Sequence, residues 1–235
     1  MKVSIWSDIR CPFCYIGKRK FEAALANFPH KDKISVEWKS FELDPYLETQ
    51  PEVDYTEYFM ENKNVDRDTA LGMFDRVSKM ASEVGLHFNV EQGVIANSLN
   101  AHRLLHYAKT EDLADKTKET LLKAQLEQGK NIDDASVLLD LAVQVGLNKE
   151  KVAALLASDE YTYEVRQDEL EARNLGISGV PFFVLDHKFG ISGAQPTEVF
   201  AEALEKAWKN YTNEKLTLLT VDKAGESCDV DGNCN

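Results

Sequence analysis

Positive charge is scarce in this sequence. Its 27 lysine and arginine residues face 40 aspartate and glutamate residues, and the formal net charge is -13. A chain this acidic repels nucleic acid and anionic membrane surfaces, and no basic run offsets the repulsion. The sequence also lacks an apolar stretch of about 18 residues, the length that a membrane-spanning helix requires. We therefore predict no nucleic-acid partner and no membrane partner.

A secretory leader and a dense set of cysteines are also missing. The residues after Met1 contain neither a long apolar region nor a small-residue cleavage site, which predicts a cytoplasmic protein. The four cysteines form two close pairs at opposite ends of the chain: Cys11 with Cys14, and Cys228 with Cys234. Four cysteines are too few to form a structural disulfide framework in a chain of this length. In a reducing compartment, close pairs indicate redox chemistry or metal binding.

The sequence does contain a β-forming segment at each end of a long helical stretch. The first segment reads as strand, helix and strand: a β-forming run at 2–7, a helical pattern at 14–28 and strict alternation at 34–41. Helical signals dominate from about residue 55 to residue 175. A hairpin pattern at 180–193 follows, and then a helix that opens at Pro196.

This order predicts an α/β protein with the thioredoxin fold (βαβ…ββα) and a large all-helical insertion between the two halves. Neither β-containing end makes a stable sheet alone, so both ends are expected to share one sheet. The predicted domains are a thioredoxin-like domain of residues 1–50 and 176–210, a helical insertion domain of residues 51–175, and a cysteine-containing tail of residues 211–235.

The first cysteine pair lies where the first strand gives way to the first helix. Cys11 is expected at the helix cap, where unpaired N–H groups and the positive end of the helix dipole favour a thiolate. Pro12 suits the first helical position because its missing N–H would be unpaired there anyway. Cys14 lies about one turn inside, close enough to attack a mixed disulfide formed on Cys11.

A metal site is the alternative interpretation of this pair. Zinc would need a second ligand pair, for which the tail cysteines or His102 and His106 are the candidates. The two histidines lie four residues apart on a predicted helix but have no glutamate partner or third ligand. The strand–CxxC–helix context favours redox chemistry, and no metal site is predicted.

Three segments together resemble the DsbA family of oxidoreductases, and most closely its FrnE-like branch. They are residues 7–15 (SDIRCPFCY), 97–104 (NSLNAHRL) and 176–183 (GISGVPFF). The resemblance implies that Cys11 is the nucleophile, that Cys14 resolves the mixed disulfide, and that Pro181 is a cis proline facing both. It also implies that the backbone of Val180 pairs with an extended substrate segment.

The same resemblance suggests further contacts around the dithiol. Pro12 and Phe13 are expected to contact substrate, although many relatives have tryptophan where this chain has Phe13. Asn97 and His102 are expected to line a cleft over the dithiol.

The tail pair, Cys228 and Cys234, allows two interpretations. One is a polar chain end with incidental thiols. The other is an auxiliary dithiol that exchanges with Cys11 and Cys14. The intervening Asp-x-Asp-Gly does not fit a calcium-binding EF-hand, because no downstream glutamate follows.

The leading functional prediction is a thiol–disulfide oxidoreductase that uses the Cys-Pro-Phe-Cys dithiol on protein substrates or small thiols. It requires no organic or metal cofactor, and glutathione is a candidate co-substrate. One alternative is a glutathione-dependent isomerase or transferase of the kappa type, a class that typically has serine where Cys11 stands. Another is a non-catalytic, chaperone-like binding module. The oligomeric state is not predicted.

Overall fold

The computed structural model describes residues 1–213, and these form a four-stranded sheet with helices around it. In chain order the elements are β1 (Lys2–Ser7), α1 (Pro12–Ala26), β2 (Ser35–Ser40), α2 (Tyr55–Lys63), α3 (Arg67–Ser82), α4 (Leu99–Thr110), α5 (Ala114–Leu126), α6 (Ala135–Val145), α7 (Lys149–Leu156), α8 (Thr162–Asn174), β3 (Phe182–Leu185), β4 (Phe189–Ser192) and α9 (Thr197–Asn213). Helix α9 runs past residue 210, where the sequence places the start of the tail.

The two β-containing ends of the chain meet in one sheet, with the strand order β2-β1-β3-β4. β1 pairs in parallel with β2, with Ile5 opposite Trp38, and antiparallel with β3, with Ile5 opposite Phe183. A parallel neighbour requires a crossover, and α1 supplies it. The predicted thioredoxin arrangement, βαβ followed by ββα, is confirmed.

Between the two halves lie the seven helices α2 to α8, and their ends follow from local residues. The side chain of Asp66 accepts the Thr69 N–H at the start of α3, as expected of an N-cap aspartate. Asn148 caps α7 in the same way through the Lys151 N–H. Gly146 ends α6 at a φ of 105°, a left-handed conformation that costs glycine little.

The helical insertion is fixed to the sheet by apolar packing. Leu105 of α4 is fully buried in the core beside the sheet, which includes Phe183 and Phe200. Conversely, Ile9 follows β1 and is fully buried among the helices of the insertion. The loop that carries the first cysteine pair therefore lies between two cores and packs against both.

A polar network adds to this attachment. Asp168 of α8 accepts the Ser40 N–H at 2.8 Å and pairs with Lys39 at 2.9 Å. It also lies 3.2 Å from His106 Nε2, and His106 in turn lies 3.1 Å from the Ser40 hydroxyl. Two helices of the insertion are thereby tied to β2. Within residues 1–213, no helix is long and apolar enough to cross a membrane.

Candidate active site

The two cysteines occupy the first turn of α1. Cys11 is the N-cap with extended backbone angles (φ -87°, ψ 114°), and Pro12 is the first helical residue. The Cys14 N–H donates to the Cys11 carbonyl at 3.0 Å. Both cysteines are free thiols, and their sulfurs are within hydrogen-bonding reach of each other. Both are buried, with 4% of Cys11 and 1% of Cys14 exposed, so Cys11 is the one nearer to solvent.

The loop before β3 faces this turn. The Val180–Pro181 peptide bond is cis. The Cys11 thiol donates to the Val180 carbonyl, with the sulfur and oxygen 3.7 Å apart. The Pro181 carbonyl accepts the Gly193 N–H at 2.8 Å, which holds the loop against the start of the segment after β4. A dithiol and a proline loop from opposite ends of the chain are thus in direct contact.

The dithiol loses its first proton more readily than an ordinary thiol does, and it loses its second proton less readily. Burial opposes ionisation of Cys14, but a hydrogen bond from the Cys11 thiol and the positive charge of Lys118 outweigh it, so the pKa of Cys14 is lowered. The hydrogen bond to Cys14, burial and the Cys14 charge all raise the pKa of Cys11 well above its usual value. The first ionisation of the pair is therefore favoured over that of an ordinary thiol, and the second is opposed.

The expectation that Cys11 is the ionised sulfur stays a prediction, because the two thiols are coupled in their first ionisation. The helix start does favour negative charge because of the helix dipole. The first turn of α1 contains no acidic residue that would oppose this effect. Cys14, however, lies deeper and closer to a buried cation. A proton passing from Cys11 to Cys14 moves the charge to the sulfur nearer the surface.

Lys118 of α5 is that cation. It is completely buried, its ammonium donates to the Ser7 carbonyl at 3.2 Å, and it lies 5.6 Å from the centre of the Trp38 ring. Among residues 1–213 no carboxylate forms an ion pair with it. Burial lowers the pKa of Lys118 to about 8, although the charges of Cys14 and Asp8 favour its ammonium form. The dithiol is therefore the natural counter-charge of this lysine.

Sequence reasoning missed Lys118, although a signal was present. Lys118, Leu121, Leu122 and Gln125 recur at the spacing of one helical face, and all four are buried. A lysine inside an apolar helix face needs a specific partner, because burying its charge alone is costly. The sequence does not say that the partner is a cysteine pair far away along the chain.

Asp8, three residues before Cys11, is a second buried charge. Its carboxylate accepts the Leu43 N–H at 2.9 Å and the Arg10 N–H at 3.2 Å. Burial raises the pKa of Asp8, but His102, the Leu43 N–H and the charge of Arg10 outweigh it and lower the pKa to about 2. Asp8 is therefore ionised at neutral pH and fixes the loop that leads into α1.

The expectation that His102 lines an open cleft is wrong. Its side chain is fully buried, with Nε2 3.5 Å from Asp8, because α4 packs its whole inner face against the cores. Burial lowers the pKa of His102, so the ring is neutral at pH 7. The expectation that Asn97 lines a cleft over the dithiol stays a prediction. The side chain of Asn97 donates to the Leu47 carbonyl at 3.0 Å and accepts the Leu99 N–H at 2.8 Å, joining a loop to the start of α4.

The other predicted site residues lie as follows. Phe13 is 43% exposed beside the dithiol, and Pro12 and Val180 are partly exposed. Cys228 and Cys234 lie outside the described residues, so the auxiliary-dithiol hypothesis stays a prediction. Within residues 1–213, no group of three or more His, Cys, Asp or Glu side chains is placed to hold a metal ion.

Gly17 allows α1 to approach the proline loop. A Cβ at this position would lie 3.0 Å from Pro181 Cγ and 3.5 Å from Ala194. We predict that Gly17→Ala displaces the loop from the dithiol and slows disulfide exchange about tenfold, since small misplacements of reacting groups are costly. Stopped-flow reduction of a small disulfide measures the effect.

The matched control is Gly72→Ala in α3, where nothing lies within 4 Å of the added Cβ. This variant should keep the wild-type exchange rate and gain up to about 1 kcal/mol of helix stability. Equal rates for Gly17→Ala and the wild type would show that the close approach does not matter.

Asp8 predicts how stability depends on pH in acid. Its pKa is about 2 in the folded protein against an ordinary value of 3.8, so its contribution is fully present above pH 3.8 and is lost as the pH falls towards 2. The shift corresponds to about 2 kcal/mol of unfolding free energy. Urea unfolding at a series of pH values should show a shallower fall between pH 4 and pH 2 for Asp8→Asn. The exposed Asp75→Asn variant is the control, and an unchanged slope in Asp8→Asn contradicts the prediction.

A thioredoxin-type sheet, a free Cys-x-x-Cys pair at the start of the first helix and a proline loop across from it define the class of thioredoxin-fold dithiol proteins. A family model described as a DSBA-like thioredoxin domain matches residues 2–205. The chain belongs to this family, as the sequence resemblance predicts. Its assignment to the FrnE-like branch stays a prediction.

Solved structures agree with this assignment. A probable DsbA oxidoreductase from Streptomyces coelicolor superimposes with a TM-score of 0.87 at 39% identity, over 100% of this chain and 98% of that chain. A 2-hydroxychromene-2-carboxylate isomerase gives a TM-score of 0.67 at 15% identity, over 92% and 100%. The cytosolic disulfide reductase DsbM from Pseudomonas aeruginosa gives 0.60 at 16% identity, over 89% and 100%. The last two show the shared fold alone.

Proposed function

We propose that this protein is a thiol–disulfide oxidoreductase in which Cys11 and Cys14 exchange disulfides with protein or low-molecular-weight thiols. The observation that carries the proposal is the pair of free cysteines in the first turn of α1, where the buried ammonium of Lys118 lowers the pKa of Cys14. A thiolate is the species that attacks a disulfide, and a second thiol within reach completes the exchange.

The reaction has two steps. The proton of Cys11 moves to Cys14, and the Cys11 thiolate attacks a substrate disulfide, forming a Cys11–substrate mixed disulfide and releasing one substrate thiolate. Cys14 then passes its proton to the released substrate thiolate and attacks the Cys11 sulfur. This attack breaks the mixed disulfide and releases the second substrate sulfur as a thiolate, which takes a proton from water. The substrate gains two electrons as two thiols, and the enzyme is left with a Cys11–Cys14 disulfide. Two equivalents of a thiol such as glutathione reduce this disulfide again.

Protein substrates are proposed to bind along the proline loop. The Val180 N–H donates no hydrogen bond within residues 1–213, and its carbonyl accepts only the Cys11 thiol. An extended substrate segment can therefore pair with Val180 by strand addition, which brings its cysteine to Cys11. The half-exposed ring of Phe13 and the face of Pro12 provide an apolar surface for the residues beside that cysteine.

In the cell we propose net reduction or isomerisation in the cytoplasm. A glutathione poise of roughly -220 to -320 mV keeps an oxidising dithiol couple in its reduced form. The structural relative DsbM is called a cytosolic disulfide reductase, which supports the same direction.

Two alternatives predict different behaviour. An isomerase or transferase of the kappa type needs one side chain to position glutathione sulfur, so its turnover survives Cys14→Ser. A chaperone-like module binds clients without the thiols, so its binding survives Cys11→Ser. The presence of both cysteines next to a buried lysine favours disulfide exchange over either alternative.

The test is a redox titration combined with turnover. The protein is equilibrated in glutathione buffers of graded ratio, quenched in acid and mapped by mass spectrometry. We expect one two-electron transition that links Cys11 to Cys14, together with catalysed reduction of insulin by reduced glutathione. The proposal is contradicted if no glutathione ratio links Cys11 to Cys14 and none supports catalysis.

A further inference from the structure

A groove lies beside the dithiol, between the start of α1 and the helical insertion. Its walls include Arg10, Pro12, Tyr55, Asn89, Gly93 and Gln125. Pro12 belongs to the Cys-x-x-Cys motif and Arg10 immediately precedes it, so a molecule in this groove lies next to Cys11. The groove is separate from the Val180 edge, where an extended segment would pair.

The charge of Arg10 lowers the pKa of the buried Asp8 carboxyl without forming an ion pair with it. The Arg10 guanidinium forms no ion pair and no hydrogen bond within residues 1–213, and its Nη1 atom is shielded from solvent without a partner. Neighbouring cations such as Lys18 and Arg19 of α1 are paired with Glu119 of α5. A shielded donor left without an acceptor is destabilising, and a bound acceptor removes that cost.

Gln125 supplies the opposite kind of group in the same groove. Its side chain is 6% exposed, and its Nε2 donates to the Val94 carbonyl at 2.9 Å, which fixes the orientation of the amide. Its Oε1 atom is buried and accepts no hydrogen bond within residues 1–213. The groove therefore presents an unpaired cationic donor and an unpaired neutral acceptor. A molecule with a carboxylate and an N–H group satisfies both.

We propose that this groove is a subsite for the carboxylate of a small peptide thiol or its disulfide, bound by Arg10 and Gln125 with its sulfur at Cys11. The inference rests on the proposed function and names one substrate class for it. Arg10 forms a charge-assisted hydrogen bond to the carboxylate, and Gln125 Oε1 accepts an N–H of the same molecule. Small anionic disulfides are thereby preferred over neutral or cationic ones.

The test uses three disulfides of different charge: anionic glutathione disulfide, neutral hydroxyethyl disulfide and cationic cystamine. Dithiothreitol supplies the two electrons of each turnover, and the uncatalysed rate is subtracted. The quantity compared is the ratio of kcat/KM for glutathione disulfide to kcat/KM for hydroxyethyl disulfide. We expect Arg10→Gln to lower this ratio about tenfold, mainly through the KM for glutathione disulfide. Arg10→Glu should shift the preference towards cystamine. The matched control is Arg76→Gln, at an exposed arginine of α3, which should keep the wild-type ratio.

The outcomes separate this inference from the proposed function. If Arg10→Gln lowers kcat/KM equally for all three disulfides, Arg10 acts on the dithiol, and the subsite is overturned while the function stands. If the wild type reduces none of them, the function fails, and calorimetry with S-methylglutathione decides the subsite. The subsite is supported if S-methylglutathione binds the wild type and binds Arg10→Gln about tenfold more weakly. It is overturned if both proteins bind equally or if neither binds.

Discussion

The Cys14→Ser variant is expected to stop at a mixed disulfide when it meets glutathione disulfide. Cys11 can still attack and release one glutathione, but no second thiol is present to resolve the product. Intact mass should show one glutathionyl group per chain, and peptide mapping should place it on Cys11. Catalytic turnover should fall to the uncatalysed background, because the resolving step is lost.

The Cys11→Ser variant provides the comparison. Its remaining thiol at Cys14 is the more deeply buried of the two, so it should acquire the adduct far more slowly and show no turnover. Faster modification of Cys14 in this variant than of Cys11 in Cys14→Ser would reverse the proposed roles. If neither variant forms a glutathione adduct, the proposed dithiol chemistry is contradicted.

Lys118→Met is expected to slow exchange about tenfold at pH 7 while leaving the fold intact. Without the ammonium, the first ionisation of the dithiol moves to higher pH, and each unit of increase in its pKa lowers the thiolate fraction at pH 7 about tenfold. Because a buried cation is replaced by an apolar side chain of similar length, stability should hold or rise. The rate of exchange as a function of pH measures the shift.

The control for this variant lies on the same helix. Lys123 of α5 is exposed, so Lys123→Met removes the same charge from the protein without touching the dithiol. It should reproduce the wild-type pH profile. A profile shifted equally in both variants would mean that net charge, and not the buried ammonium, controls the thiolate.

Sequence patterns predicted the fold well because its signals are local. The β-forming run of β1 and the alternating residues of β2 each act over a few neighbouring residues. The Asp66 cap and the Gly146 helix end seen in the structure are equally local. The pairing of the two β-containing ends also followed, since neither forms a sheet alone. The first cysteine pair could be placed at a helix start because Pro12 marks that position.

The electrostatics of the site could not be predicted in the same way. Which sulfur ionises first depends on Lys118, a residue of the helical insertion that no local pattern connects to Cys14. His102 was expected in a cleft, yet α4 is buried on the side that carries it. The ionisation of the dithiol and the burial of His102 both depend on packing between residues far apart in the chain. Local sequence patterns do not predict such packing.

The account depends most directly on the sharing of one negative charge between the two sulfurs. Ultraviolet thiolate absorbance, followed across pH in the reduced protein, counts the thiolates per chain. An ordinary thiol ionises near pH 8.5. We expect the first thiolate to form below that pH and the second only well above it. Two thiols that ionise together in the ordinary range, or a first ionisation unchanged by Lys118→Met, would contradict the account.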